Sequence, residues 1–273
     1  MRVRQAEDGD TGEIREVSLA TGQPAAESGA DAGYLQLLRS TGTVLVAVEA
    51  DGTLTGWGAV KHTPLGLLLS DLFVHPAQHG HGVGAQLLRA LMPGEPAGSR
   101  RFTFSSQHAN ALPLYVRSGL VPSWPLLYLR GSPARLPASA DVSADCVDAV
   151  TAARADAVLT SAPERSADYG HWTRRPSGTG LVVRDGSTVI AAGAGSPAEL
   201  FHLTCPDPAL AAAALFAAVA ALGADQLAFC LPGPHPALLP LLGAGFRIED
   251  YDISMSTPGL ELPTGWIYSP GLG

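Results

Sequence analysis

The sequence has few cysteines, few charged residues and no long apolar run. Among its 273 residues are three cysteines, Cys146, Cys205 and Cys230, which lie far apart and form no CxxC pair. This spacing argues against a disulfide framework and against a structural zinc site. We therefore expect a protein of a reducing compartment, the cytoplasm.

Membrane and nucleic-acid partners are not expected. The most apolar stretch, Ala209 to Ala224, is 16 residues of mostly alanine, whereas a membrane-spanning helix needs about 20. We interpret it as a buried helix. The opening residues contain no apolar run, so no signal peptide is predicted. The formal net charge of −8 gives no overall positive field for nucleic acid and suits a cationic amine better.

The length predicts two domains. Single domains have a mode of about 100 to 150 residues, and the hydrophobic fraction of 46% with 15% charged residues is typical of a folded globular protein. The stretch Gly131–Ala140 contains proline, serine and alanine, which is typical of a linker. We expect domains at residues 1–131 and 142–273, joined by residues 132–141.

The first half has an α/β pattern. A strand begins near Val3, and Asp51-Gly52 between two apolar runs predicts a hairpin. The polar stretch between Ala20 and Gly33 is a candidate substrate mouth. The predicted order is helices over Asp10–Leu19 and Tyr34–Leu38, hairpin strands Thr43–Val48 and Leu54–Val60, strand Leu67–Val74, a helix ended by Pro93 and Gly94, strand Phe102–Ser105, helix Ala109–Arg117 and strand Pro125–Arg130.

The second half repeats that order. Asp185-Gly186 lies in a second hairpin, and pairing Gly52 with Gly186 gives an offset of 134, whereas pairing Gly119 with Gly245 gives 126. A shared order with few insertions indicates duplication. The matching elements are strands Thr179–Val183, Thr188–Ala192 and Leu200–Leu203, the alanine-rich helix, strand Leu227–Cys230, helix Pro236–Leu242 and strand Tyr251–Ser256.

A glycine-rich loop follows strand Leu67–Val74 and opens a helix. Gly80, Gly82 and Gly84 alternate with other residues, and glycine lets backbone N–H groups approach an anion closely at the positive end of a helix. The loop lacks the Lys-Ser/Thr of a nucleoside-triphosphate loop. Leu87 stands where a dinucleotide fingerprint needs its third glycine. The pattern therefore predicts a phosphate site of another class.

The loop resembles the signature of the GCN5-related N-acetyltransferase (GNAT) superfamily, which is Gln or Arg, two residues, Gly, one residue, then Gly or Ala. His79 stands in the Gln/Arg position, and Gln78 is one place early. Imidazole can still donate a hydrogen bond to phosphate. The resemblance implies an α/β fold of two tandem GNAT-like domains, each a mixed, mostly antiparallel sheet flanked by helices. It implies acetyl-CoA as cofactor, bound by Leu72, Phe73, Val74, His79, Gly80, His81, Gly82, Val83, Gly84, Ala85 and Asn110.

A later segment, Asn110 to Leu120, resembles the family's next helix. The resemblance implies that Asn110 contacts the cofactor and that Tyr115 protonates the departing thiolate. A phenol near sulfur suits that role because it can release its proton as charge develops. The alternative for Tyr115 is a core aromatic residue.

A general base is harder to assign. Asp71 lies on the strand before the loop, where a carboxylate could take the proton of an attacking amine; the alternative is a strand-end residue facing solvent. Glu49, at a hairpin end, is a weaker candidate. His75, His79 and His81 could bind zinc, but the glycines between them and the missing fourth ligand argue against a metal.

The second half has lost both chemical signals. Pro206 and Pro208 replace the glycine loop and remove N–H donors, and Leu241 stands where the first half has Tyr115. We expect a degenerate domain, kept for packing or for shaping the cleft. The tail Pro263–Gly273 is expected to lie extended over a domain surface. A polar and aromatic cluster is interpreted as a solvated helix face or domain interface, or else as a substrate contact: Glu164, Arg165, Asp168, Tyr169, His171, Trp172, Arg174 and Arg175.

The function predicted from these residues is transfer of an acetyl group from acetyl-CoA to a primary amine, by direct attack in a ternary complex; the partner is a small-molecule amine or another amino-group substrate. The alternatives are a protein that binds acetyl-CoA for sensing or structure without transfer, and a site for another nucleotide. The acceptor, the acyl-chain length and the choice between monomer and homodimer stay open.

Overall fold

A computed structural model describes residues 1–22, 31–93, 99–137 and 141–273. Most of the predicted substrate mouth, the helix stop at Gly94 and residues 138–140 of the predicted linker lie outside the described residues. Across the described ranges the chain forms helices and strands in the order expected for an α/β protein. None of the helices in these ranges has the length and apolar character needed to cross a membrane.

The first half follows the pattern predicted from its apolar residues. Val83, Leu87, Leu88 and Leu91 recur at helical spacing and are all buried, because a helix repeats every 3.6 residues. The strands are β1 (Arg2–Gln5), β2 (Gly42–Val48), β3 (Leu54–Thr63), β4 (Gly66–Val74), β5 (Arg101–Ser105) and β6 (Val121–Gly131), and the helices are α1 (Thr11–Ala20), α2 (Ala32–Thr41), α3 (Val83–Leu91) and α4 (Ala111–Arg117).

The second half adds two elements that the sequence did not predict, a strand and a helix at its start. That strand has a mostly exposed or half-buried pattern, and the helix buries only Ala152, Ala153 and Asp156, so neither has a strong apolar period. The strands are β7 (Val142–Val147), β8 (Thr179–Asp185), β9 (Thr188–Gly195), β10 (Leu200–Thr204), β11 (Leu227–Pro232) and β12 (Arg247–Ser256), and the helices are α5 (Ala149–Thr160), α6 (Ser166–Thr173), α7 (Ala211–Leu222) and α8 (Leu238–Ala244).

The last strand of each half lies in the middle of a shared sheet. The larger sheet has the order β1-β2-β3-β4-β5-β12-β6-β11, and the smaller one β10-β9-β8-β7. Strand β12 pairs with β5 at Ile253 opposite Ser105, and also with β6, while β6 pairs with β11. Hydrogen bonding therefore crosses the predicted linker, although the domain boundaries themselves stay a prediction.

Two matching irregularities support the duplication. In β4, Asp71 pairs with Ala59 and Leu69 with Val60, so Ser70 is an extra residue. In β10, His202 pairs with Ala194 and Leu200 with Gly195, so one residue is again extra. An extra residue of this kind bends its strand. Both halves therefore bend the equivalent strand, and His202 occupies the position of Asp71.

The tail after β12 packs over the larger sheet, as predicted. Trp266 and Tyr268 are buried in one apolar cluster with Phe102 and Leu126. Short bridges join the tail to Leu203 and Cys230 of the second half. The tail thus covers the face of the sheet opposite α3 and α4.

Candidate active site

A gap opens between β4 and β5. These parallel strands pair at only three positions, from Leu67 opposite Arg101 to Leu69 opposite Thr103. Beyond that point β4 continues to Val74 beside β3 alone, and β5 pairs with β12. The extra residue Ser70 lies where the strands part, because a bulge redirects its strand. The predicted cofactor contacts Leu72, Phe73 and Val74 therefore border the gap.

The glycine loop lies at the end of β4, next to the gap. Gly80 and Gly82 have φ of +81° and +82°, a left-handed conformation that glycine adopts at low cost. The amide of Gln86 donates to the carbonyl of Gly82 over 3.1 Å. The backbone amides of Val83, Gly84 and Ala85 come before this bond in the helix, so they have no acceptor within α3.

The space around the loop fits a phosphate group. A side chain at Gly80 or Gly82 would meet nothing within 4 Å. At Gly84, an added Cβ would lie at ordinary contact distances, 3.5 Å from Val74 and 3.6 Å from Leu114. Amides that lack acceptors at the positive end of a helix favour an anion. These residues therefore suit the diphosphate of acetyl-CoA.

His79 is bonded within the loop. Its Nε2 lies 2.9 Å from the carbonyl oxygen of Val74, and a carbonyl only accepts, so Nε2 carries the hydrogen. In the neutral ring Nδ1 is then an acceptor, and it can donate to phosphate only after protonation. The rings of His79 and His108 pack edge to face, with their centroids 5.2 Å apart. The backbone N–H of Asn110, which directly precedes α4, donates to His108 Nδ1.

Tyr115 reaches the gap from α4. It is 8% exposed and packs with Leu69, Ile253 and Met255. Burial raises the pKa of the Tyr115 phenol above its ordinary value, and the negative charges of Asp252 and Asp71 raise it further. The phenol is therefore kept protonated. Tyr115 is thus a core aromatic residue, which was the alternative interpretation, and its phenol also interacts with the charges of Asp252 and Asp71.

Asp71 is buried rather than facing solvent. Its carboxylate accepts a hydrogen bond of 2.8 Å from the hydroxyl of Tyr34 on α2, and it is 7% exposed. The alternative of a solvent-facing strand end is therefore wrong. The weaker candidate, Glu49, forms an ion pair of 3.3 Å with the N-terminal amino group of Met1.

A second carboxylate near the gap, that of Asp252, was missed by sequence reasoning. It lies on β12 of the second half, which pairs with β5 of the first half. The hydroxyl of Tyr128 donates to it over 2.8 Å. Burial raises the pKa of Asp252 to about 6, and the charge of Asp250 adds to this effect while the Tyr128 bond opposes it. No local motif marks Asp252, since only the pairing of distant strands brings it here.

The equivalent region of the second half is filled by protein. His202, at the position of Asp71, is fully buried, stacks on Trp172 at 5.2 Å and approaches Arg165. Leu241, at the position of Tyr115, is fully buried. Pro206 and Pro208 precede α7. No glycine cradle is present in this described segment.

The polar and aromatic cluster of α6 forms an interface between the halves. Arg165, Asp168, Tyr169, His171 and Trp172 are buried, and α6 packs on α2. Burial and this packing fit the interface interpretation for these five residues, and the substrate contact stays a prediction. Glu164 and Arg174 are exposed, and Arg175 is half-buried beside Glu199.

The three histidines next to the glycine loop do not converge. Over the described ranges, no group of three or more histidine, cysteine, aspartate or glutamate side chains converges on a common point. His75 instead accepts a hydrogen bond from the amide of Ala77.

Comparisons with known proteins agree with this geometry. The family model described as acetyltransferase (GNAT) domain matches residues 40–120. No curated protein matches the chain.

Solved structures share the fold over nearly the whole chain. A candidate acetyltransferase from Pyrococcus horikoshii covers 100% of this chain and 94% of its own, with a TM-score of 0.72 and 16% identity. A GCN5-related N-acetyltransferase from Sphaerobacter thermophilus covers 96% and 97%, with a TM-score of 0.57 and 16% identity. A tandem GNAT protein from the clavulanic acid biosynthesis pathway covers 94% and 98%, with a TM-score of 0.59 and 13% identity.

Proposed function

We propose, on the premise that this chain carries an acetyltransferase domain of the GNAT superfamily, that it transfers acetyl from acetyl-CoA to a primary amine of a small molecule. The observation that carries the proposal is the gap between β4 and β5 directly beside the glycine loop. A diphosphate at the start of α3 leaves its pantetheine arm room to enter that gap.

The loop residues would hold the cofactor mainly through backbone groups. The amides of Val83, Gly84 and Ala85 face outward at the start of α3, with Gly80 and Gly82 giving access. Acetyl-CoA, when bound, supplies an activated acetyl group as a thioester. The open edge of β4 near Phe73 offers backbone groups for the carbonyl and for the pantetheine amides.

Two side chains are proposed to act on the reacting atoms from opposite faces of the sheet. Tyr115, on the α4 face, would donate its proton to the sulfur as the carbon–sulfur bond breaks. Asp71, on the α2 face, would attract the ammonium form of the amine. Holding both reactants in one gap supplies much of the rate enhancement because it removes the entropy cost of their encounter.

The test combines cofactor binding with thiol release. We expect a calorimetric signal with acetyl-CoA, and free CoA released when amines are added, measured with a thiol reagent across a panel of small amines. Gly84→Glu should abolish binding, since its carboxylate at the start of α3 would repel the phosphate groups and its side chain would crowd Val74 and Leu114. Gly243→Glu, in α8 with open space around its Cβ, is the matched control and should bind normally.

Two other outcomes would point to the alternatives. Binding without CoA release for any amine would favour an acetyl-CoA sensor. The absence of any calorimetric signal with acetyl-CoA would favour a site for another nucleotide and would contradict the proposal.

A further inference from the structure

Few groups in the described structure neutralise the negative charge of the Asp252 carboxylate. Its one described hydrogen bond comes from Tyr128, and it has no ion pair within the described ranges. The titratable groups near it are Tyr128 on β6, Asp250 on its own strand and, across the sheet, Tyr115 from α4. None of these is a cation. A partly buried carboxylate without a cation is costly, and a bound ammonium group would remove that cost.

The face of the sheet around Asp252 is apolar and aromatic. Ser254, two residues away, pairs with Phe104 of β5, so Asp252 and Phe104 lie on the same face. The rings of Phe104, Trp124 and Tyr268 lie 5.1 to 6.2 Å apart. Phe104 and Trp124 are only half-buried. Such rings favour an apolar carbon skeleton, and their faces also attract cations.

The carboxylate and the phenol lie on opposite faces of β12. Tyr115 packs with Ile253 and Met255, whose side chains alternate with that of Asp252 along the strand. The negative charges of Asp252 and Asp71 nevertheless both raise the pKa of its phenol. The gap between β4 and β5 is thus bordered by an acid on one side and two carboxylates on the other, one from each half of the chain.

We infer that Asp252, carried into the first half's sheet by the exchanged strand β12, contacts the acceptor amine and takes its proton, and that the acceptor is a small primary amine with an apolar skeleton. This inference rests on the proposed function and adds the substrate class and a catalytic residue from the second half. Asp71, held by Tyr34, then serves mainly to bind the ammonium group.

In the proposed reaction, Asp252 takes one proton from the amine and Tyr115 gives one to the sulfur. The ammonium proton passes to the Asp252 carboxylate, and the nitrogen forms a bond to the acetyl carbon. The carbon–sulfur bond breaks, and the sulfur receives its proton from Tyr115. The nitrogen loses a second proton to water. Asp252 then releases its proton to water and Tyr115 takes one proton back from water, so one proton is released overall for each amide formed. A base with a pKa of about 6 suits proton transfer near neutral pH.

The test uses 2-phenylethylamine as probe, with 2-phenylethanol as its neutral counterpart, on the full chain. The variants are Asp252→Asn, Asp252→Glu and the control Glu249→Gln, which alters an exposed residue of the same strand. We expect Asp252→Asn to lower kcat/KM for the amine at least 100-fold and to remove an inflection near pH 6. The Kd for acetyl-CoA should change less than twofold, Asp252→Glu should regain part of the activity, and Glu249→Gln should match the parent.

Binding to the CoA-loaded protein separates this inference from the proposed function. Calorimetry should show that the parent binds 2-phenylethylamine but not 2-phenylethanol, and that Asp252→Asn binds the amine at least tenfold more weakly. That result supports the acceptor site even if no acetyl transfer occurs. A lack of transfer would count only against the proposed function. No binding of the amine by the parent, or parent-like binding and pH profile in Asp252→Asn, would overturn the inference.

Discussion

The ammonium group of Lys61 and the carboxylate of Asp168 form a buried ion pair, with Nζ and Oδ1 2.5 Å apart. Lys61 lies on β3 in the first half, and Asp168 lies on α6 in the second. Arg165 also donates to Asp168, over 2.9 Å. Burial lowers the pKa of Lys61, and the charge of Asp168 opposes that shift. The carboxylate of Asp168 thus contacts two cations at the interface.

We expect Asp168→Asn to destabilise the protein strongly. Lys61 would lose its anionic partner while buried, Arg165 would keep only the charge of Asp156, and breaking a buried pair costs about 3–5 kcal/mol. Urea unfolding at pH 7 measures the change. The control is Glu249→Gln, which breaks an exposed pair with Arg130 and should cost less than about 1 kcal/mol. Equal effects of the two substitutions would show that the buried pair contributes no more than a surface one.

Gly82→Ala should weaken cofactor binding beyond its effect on stability. Gly82 and Gly52 both have positive φ, +82° and +94°, with open space around the Cβ position. Alanine at either site should therefore cost about 1–2 kcal/mol of stability. Only Gly82→Ala should weaken acetyl-CoA binding, by about tenfold or more, as measured by calorimetry. Similar affinities in both variants would argue against the loop as the phosphate site.

Tyr115→Phe should reduce turnover without weakening cofactor binding. Loss of a proton donor typically costs 10²–10⁴-fold in rate, so we expect at least about a 100-fold lower kcat. The Kd for acetyl-CoA should stay within about twofold. Tyr169→Phe is a matched control, because Tyr169 is fully buried and its hydroxyl has no hydrogen-bond partner in the described structure. Parent-like turnover in Tyr115→Phe would remove the phenol from the mechanism.

Asp252→Asn should make the folded state more stable at neutral pH. Because burial raises the pKa of Asp252 from 3.8 to about 6, folding favours the protonated carboxyl, and this stabilisation is lost as pH rises from about 4 to 6. Asparagine stays neutral and can still accept the Tyr128 hydrogen bond. The Tm of the variant should therefore exceed that of the parent at pH 7.5, and the difference should shrink toward pH 4. A lower Tm at pH 7.5 would contradict the assigned cost of ionisation.

His79→Arg should tighten acetyl-CoA binding. In the neutral ring, Nε2 donates to Val74 and Nδ1 has no hydrogen to offer. Arginine could keep the bond to Val74 and donate to phosphate as well, so we expect a Kd lower by about fivefold to tenfold. His62→Arg adds the same charge at an exposed position of β3, away from the loop, and should leave the Kd unchanged. Equal gains in both variants would indicate a general charge effect.

The sequence by itself determined the elements of each half and the position of the loop. Apolar residues at spacings of three and four predicted α3, because such residues share one face of a helix. The Asp-Gly pairs at Asp51 and Asp185 located two hairpins, since this dipeptide suits a tight turn. Gly80, Gly82 and Gly84 were identified because glycine lets backbone N–H groups approach an anion closely. The start of the second half was missed, since alanine-rich α5 has little apolar periodicity.

Only the tertiary structure decided which residues meet across the chain. The spacing of residues along one strand does not determine which strands become neighbours in a sheet. The sequence therefore did not show that β12 pairs with β5 and brings Asp252 near Tyr115. The burial of Asp71 depends on Tyr34 from another element. The α6 cluster meets the first half through its packing on α2 and through the pair of Asp168 with Lys61 of β3. Local propensities fix elements, whereas long-range packing fixes which distant side chains become neighbours.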